Sequence, residues 1–228
     1  MGTQYAFGQI VTDGLVLCLN ASDRNSYVSG STTWNDVSGR GNNGTLTNGP
    51  TFNSLNGGNI VFDGSDDYVN CGNNTSLNLN KHTICFWFYP KGTTTKEIIV
   101  KSNDSNNGVG PYEVFQNGGK IWYRLNYNSN PNTTITGGIN YNVNQWNYIV
   151  ATYDNINMKT YINTVLDINT SFTQILTNST GDLCVGAYAD AQYPLNADIS
   201  IVTIYNRALT ALEVQQNYNA TKSRFGIT

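Results

Sequence analysis

Along the chain, short apolar or alternating runs are separated by clusters of Gly, Asn, Ser and Asp. The clearest runs are 15–19, 59–63, 83–89, 97–101, 112–116, 120–126, 146–153, 159–163, 183–188 and 198–205. They are rich in Val, Ile, Thr, Tyr, Phe and Trp, which pack well on a pleated surface, so the pattern predicts an all-β sandwich. Runs 83–89 and 146–153 are apolar at successive positions. Such strands belong in the middle of a sheet with both faces covered. One segment breaks the pattern. Thr210-Ala-Leu-Glu213 is a capping box, and Leu209, Leu212, Val214 and Tyr218 supply an apolar stripe, predicting a helix that ends near 217–219. No internal repeat or long linker divides the chain. The expected organisation is a sandwich over 13–222, an N-terminal extension (1–12) serving as an attachment arm, and a tail (223–228).

Composition narrows the chemistry. Only 12% of the 228 residues are charged, whereas 35 are Asn, so neutral amides and hydroxyls make the surface. A net charge of -3 supplies no phosphate-neutralising patch, and nucleic acid is not an expected partner. No apolar run approaches the ~18–20 residues that span a bilayer, so no membrane insertion is expected. The stretch 1–8 lacks a basic region followed by an apolar one, so no signal peptide is expected. Cys18, Cys71, Cys85 and Cys184 have no metal-ligand spacing. At least Cys18, Cys85 and Cys184 read as buried free thiols, with a disulfide left open. The single histidine, His82, reads as a polar residue at a strand edge.

Within 120–127, alternation sets Ile121, Tyr123 and Leu125 on one face and Trp122, Arg124 and Asn126 on the other. A ring, a guanidinium and an amide on one exposed face suit a sugar: the ring stacks on C–H faces and the polar groups take hydroxyls. Tyr112, Tyr188 and Tyr193 are expected to reach the same region if loops fold over the sheet. The competing expectation packs Trp122 into a second layer beneath a loop.

Six segments in order then carry a resemblance. They are Asp13-Gly-Leu-Val-Leu-Cys-Leu-Asn20, Trp34-Asn-Asp36-Val-Ser38-Gly39-Arg-Gly41-Asn42-Asn-Gly44, and Ile60-Val-Phe62-Asp63-Gly64-Ser-Asp66-Asp67-Tyr68-Val69. Thr83–Pro90, Trp146–Asp154 with Tyr161-Ile-Asn163, and Ile204-Tyr205-Asn206-Arg207-Ala208-Leu209-Thr210 complete the set. Over 13–221 the chain resembles the laminin-G-like branch of the concanavalin A-like lectin/glucanase sandwiches, in its short bacterial and phage form. The resemblance implies a jelly roll of two antiparallel sheets with one short C-terminal helix. Three positions depart from the family pattern. Thr164 replaces a turn glycine, implying a longer or different turn. Ala197 stands at another family glycine. Ile201 replaces an exposed acid, hinting at a subunit contact.

The same fold carries glucanases, which use two Glu on one strand. Here no two of Glu97, Glu113 and Glu213 lie within fifteen residues, and Asp66 and Asp67 sit in a turn that favours backbone capping, so hydrolysis is not expected. Asp36, Ser38 and Asn42 likewise read as turn caps. Resemblance to the pentraxin cousins implies a possible calcium site at Asn103, Asp104, Asn107 and Asp190, weaker than theirs because Tyr188 stands where an acid would help. Similar modules occur in marine tailed phages. The expected function is therefore a non-catalytic virion surface protein, made in the host cytoplasm, as fibre, adhesin or capsid decoration. Its expected partners are copies of itself or other virion proteins, and cell-surface glycans. The alternative is a stand-alone, calcium-dependent bacterial lectin.

Overall fold

A computed structural model describes residues 9–102, 110–127, 129 and 133–228. In chain order its strands are β1 (Leu15–Asn20), β2 (Thr33–Trp34), β3 (Gly44–Thr47), β4 (Thr51–Asn53), β5 (Asn59–Asp63), β6 (Tyr68–Asn70), β7 (His82–Pro90) and β8 (Lys96–Ser102). They continue with β9 (Gly110–Asn117), β10 (Lys120–Tyr127), β11 (Thr133–Asn140), β12 (Asn147–Tyr153), β13 (Asn157–Ile162), β14 (Val165–Ser171), β15 (Asp182–Val185) and β16 (Asn196–Tyr205). One α-helix, α1 (Ala211–Thr221), follows. Sheet I runs β14-β13-β12-β7-β16-β5-β4, with β1 also paired to β16. Sheet II runs β11-β10-β9-β8-β15-β6-β3-β2. All pairings are antiparallel, the jelly-roll sandwich that the pattern and the resemblance imply.

Period-2 alternation builds the core. Ile84, Phe86 and Phe88 of β7 and Ile149, Ala151 and Tyr153 of β12 meet Tyr112, Val114, Ile121, Tyr123 and Leu125 of sheet II in one continuous apolar layer. As expected, β7 and β12 lie inside sheet I and are buried on both faces. Their second faces carry Cys85, Trp87, Tyr148 and Val150, which pack under Val11, Val214 and Phe225. The cover is therefore α1 together with the segments on either side of the sandwich.

This cover corrects several expectations. Phe225, assigned to a tail, is buried and stacks on Trp87 with ring centroids 4.1 Å apart. Val11, assigned to an arm, is buried and donates its N–H to Asn217 Oδ1 at 2.8 Å. Ile201 sits in the same internal cluster, so the missing acid is explained by this chain's own residues rather than by a second subunit. Leu212 lies outside the stripe at 78% exposure, and α1 continues to Thr221. The capping box is present: Thr210 Oγ1 accepts from the Glu213 N–H while Glu213 accepts from the Thr210 N–H, and Arg207 holds the Glu213 carboxylate well below its ordinary pKa, near 2.

Turn chemistry follows the glycine-rich loops closely. Asp36 accepts from the N–H groups of Cys18, Ser38 and Asn42, while Asn42 donates to Val16 O, tying the Trp34 loop onto β1. The β13–β14 turn is a finding. Ile162 pairs directly with Val165, so the loop has two residues, and both Asn163 (φ 49°) and Thr164 (φ 72°) are left-handed. The sequence implied a longer or different turn; instead Thr164 takes the conformation ordinarily given to glycine. All four cysteines are buried and free.

Candidate functional site

The outer face of sheet II carries the predicted platform. On β9 and β10, the residues alternating with the core positions are Glu113 and Phe115, and Trp122 and Arg124. Trp122 is half-buried: its ring leans on Phe115 (5.6 Å between centroids) and its Nε1–H donates to Asn117 O at 3.2 Å. The Arg124 guanidinium lies 4.7 Å over the Phe115 ring, donates to Thr134 Oγ1 at 3.1 Å and pairs with Glu113 Oε1 at 3.2 Å. Trp122 is thus partly exposed, with its ring packed against Phe115.

Tyr188 donates its hydroxyl to Glu113 Oε2 at 2.7 Å and is buried. Above it Tyr193 is 49% exposed, its ring 6.3 Å from Tyr188, and its carbonyl accepts from the Glu97 N–H. The structure therefore brings Trp122, Arg124, Tyr188 and Tyr193 together through Glu113. Two predicted members are elsewhere. Tyr112 faces the inter-sheet core and donates to Leu77 O, because alternation along β9 puts it opposite Glu113. Asn126 breaks the alternation with φ 55°, so its amide turns away to bond Ile175 O and the Thr177 N–H.

Sequence reasoning missed two carboxyl groups. Glu97 and Glu113 look remote in the chain, but antiparallel pairing of β8 with β9 brings them into one buried cluster, Glu97 at 4% and Glu113 at 1% exposure. Burial pushes both carboxyls above the ordinary range. Glu97 rises further because of Glu113, and for Glu113 the Arg124 charge and the Tyr188 hydrogen bond pull back. Glu97 Oε2 has no hydrogen-bond partner. The arrangement sets a buried Glu97 carboxyl, with its pKa raised, beside a Glu113 carboxyl committed to Arg124 and Tyr188. The signal that finds it is hairpin register, not spacing.

Asn103, Asp104 and Asn107 lie outside the described residues, and Asp190 Oδ1 accepts from the Gln192 N–H at 3.4 Å. The carboxylates of Asp63, Asp66 and Asp67 cluster within 4.8 Å, but Asp67 accepts from the Asp63 N–H and Asp63 from the Ser65 N–H, as turn caps do.

The sequence matches the family described as concanavalin A-like lectin/glucanases superfamily over residues 63–215. No curated protein matches it. Among solved structures, the fold is similar to the binding domain of Paraclostridial Mosquitocidal Protein 1, with TM-score 0.72 and 16% identity over 95% of this chain and 56% of that one. It is similar to the botulinum neurotoxin serotype G binding domain, with TM-score 0.67 and 21% identity over 90% of this chain and 50% of that one. It also resembles domain 4 of an extracellular arabinanase from Geobacillus stearothermophilus, solved in complex with arabinotriose, with TM-score 0.66 and 20% identity over 90% of this chain and 98% of that one. The chain spans about half the length of the two toxin domains. These likenesses establish the fold.

Proposed function

We propose, for a chain that belongs to the concanavalin A-like lectin/glucanase superfamily, a non-catalytic glycan-binding function exerted by the outer face of sheet II. The carrying observation is the Trp122–Arg124 pair: an aromatic ring and a guanidinium side by side, each fixed from behind. Phe115 and the Asn117 carbonyl hold the ring, and Glu113 and Thr134 hold the guanidinium. A preorganised ring can stack on the C–H face of a sugar while its neighbour donates to hydroxyl oxygens, with little side-chain entropy left to lose on binding. Tyr193 supplies a second, exposed ring at the margin. The arabinotriose held by the similar arabinanase domain supports this reading.

The absence of hydrolysis is part of the proposal. Glycosidic cleavage needs one carboxyl open to the leaving oxygen and another open to the anomeric carbon or its water. Glu97 and Glu113, the acids of the platform strands, are both buried, and Glu113 is committed to Tyr188 and Arg124. The finer reading sets this domain on a virus particle as fibre, adhesin or capsid decoration, supported by the neutral, Asn-rich composition. A calcium ion at Asp190 and segment 103–107 is its accessory proposal.

A glycan array run with calcium and again with EDTA tests these readings, with reducing-end release assayed on every bound glycan and the mass taken by light scattering. Saturable binding without release supports a non-catalytic lectin. Release of reducing ends overturns the non-catalytic reading, and EDTA-insensitive binding overturns the calcium proposal. A monomer overturns the assembled decoration.

A further inference from the structure

A second concavity lies on the far side of the molecule, where α1 and the segment after it cross the outer face of sheet I. It has a volume of about 370 Å³, and Tyr89, Trp146 and Tyr218 form its aromatic walls. Its remaining polar lining comes from Asn142, Gln145 and Asn163. That size is within the range of small-ligand clefts, roughly 300–1,000 Å³.

The rings are held in place. Trp146 lies 4.7 Å from Phe225 and 5.5 Å from Tyr89, and its Nε1–H donates to Asn56 Oδ1 at 3.1 Å. Tyr218 stacks on Trp87, at 5.6 Å and 21° between planes. All three rings are nonetheless partly exposed. The groove is therefore a set of fixed, partly exposed aromatic surfaces, with the Lys222 ammonium 5.8 Å over the Tyr218 ring.

The polar groups are uncommitted. Among the described residues, the side-chain amides of Asn142 and Gln145 and the hydroxyls of Tyr89 and Tyr218 make no hydrogen bond. Asn163 accepts the Tyr148 N–H through Oδ1, which leaves its Nδ2 donor unused. No acidic or basic residue is among the lining residues, and the two cations that flank them are engaged over rings, Lys222 over Tyr218 at 5.8 Å and Arg224 over Phe225 at 5.3 Å. Fixed rings select C–H faces, neutral donors and acceptors select hydroxyls, and a lining without charged side chains offers an acidic or cationic ligand no direct ion pair.

We infer that this Tyr89–Trp146–Tyr218 groove is a second carbohydrate site, specific for uncharged sugar residues. It stands on its own residues, whatever the Trp122 face binds. Its occupant is one or two residues of a neutral glycan chain, one ring stacked on Trp146 with hydroxyls directed at Asn142 and Gln145.

Saturation-transfer NMR with the full chain tests it, using arabinotriose, cellotriose, maltotriose and a galacturonate trimer as probes. The variants are the double Asn142→Ala/Gln145→Ala, Trp146→Phe and Trp122→Ala. The two amides are exposed, so the double variant is expected to melt with the wild type, which separates loss of binding from loss of fold. The expected result is saturable binding of at least one neutral trimer, weakened about tenfold in the double variant, the loss expected for two hydrogen bonds. The groove variants are also measured in the Trp122→Ala background, where the sheet II platform is disabled and the remaining binding reports this groove alone. No neutral probe binding at about 5 mM, a concentration that reports even millimolar affinity, would overturn the inference. So would binding unchanged in a folded double variant, or a preference for the galacturonate trimer.

Discussion

Glu97 and Glu113 are sixteen positions apart in the chain and share one buried cluster on sheet II, where Glu113 raises the proton affinity of Glu97 beyond what burial does. The folded Glu97 carboxyl keeps its proton well above the ordinary value of 4.5, mainly through burial and then through Glu113. An unfolded chain releases that proton near 4.5. The folded state therefore binds more protons above 4.5, and stability falls as pH rises from there toward the folded pKa. Glu97→Gln, neutral at every pH, is expected to raise the denaturant midpoint at pH 8 and leave it nearly unchanged at pH 4. Equal effects at the two pH values would contradict this.

His82 has the opposite sign. It opens β7 fully buried at the end of the core rather than at a solvated edge, with Nε2 2.6 Å from the Tyr123 hydroxyl and its ring 4.6 Å from Tyr112. Burial lowers its pKa from 6.5 to about 3. Between these values the unfolded chain takes a proton that the folded chain refuses, so stability present above pH 6.5 is lost as pH falls toward 3. The loss reaches about 4 kcal/mol. Denaturant melts across pH 3–7 should show this slope in wild type and a flatter one in His82→Gln.

The Trp87–Phe225 stack makes the last segment part of the fold. Phe225→Ala is expected to lower unfolding free energy by about 3 kcal/mol, the loss typical of a buried ring. Leu212→Ala on the exposed side of α1 should change it by less than ~0.5 kcal/mol. Urea denaturation followed by Trp fluorescence compares the two directly.

Thr164 holds a left-handed turn position that a β-branched residue adopts only with strain. Thr164→Gly is expected to stabilise the protein by about 0.5–1 kcal/mol, the strain relieved less the extra freedom of glycine in the unfolded chain. A lower melting temperature would show that the Thr164 side chain contributes contacts outweighing that strain.

What the sequence made legible was set by local periodicity. The ten expected runs all fall on strands, because alternation and β-branched composition are properties of neighbouring residues. β11 lies outside those runs, and it carries Gly137-Gly138, a pair with no strand propensity of its own. In the sheet, Asp167 Oδ1 accepts from the N–H groups of Gly138 and Ile139 at 2.7 Å each. A Cβ at Gly137 would stand 2.5 Å from Asp167 Oδ2, so close approach requires glycine there. Of the site, alternation found Trp122 and Arg124, whereas Asn126 escaped it through one left-handed backbone step. Glu97, Glu113 and the Trp146 groove are products of register and tertiary docking, which spacing along the chain does not encode.

The central claim is that the Trp122 ring and Arg124 guanidinium form a sugar-binding surface. Calorimetric titration of the strongest array glycan into wild type, Trp122→Ala and Arg124→Ala tests it most directly. The expected result is a saturable heat in wild type, weakened about tenfold or more in each variant, while the melting temperatures report folded protein. Undiminished affinity in a folded Trp122→Ala variant, or no glycan bound by wild type with or without calcium, would contradict it.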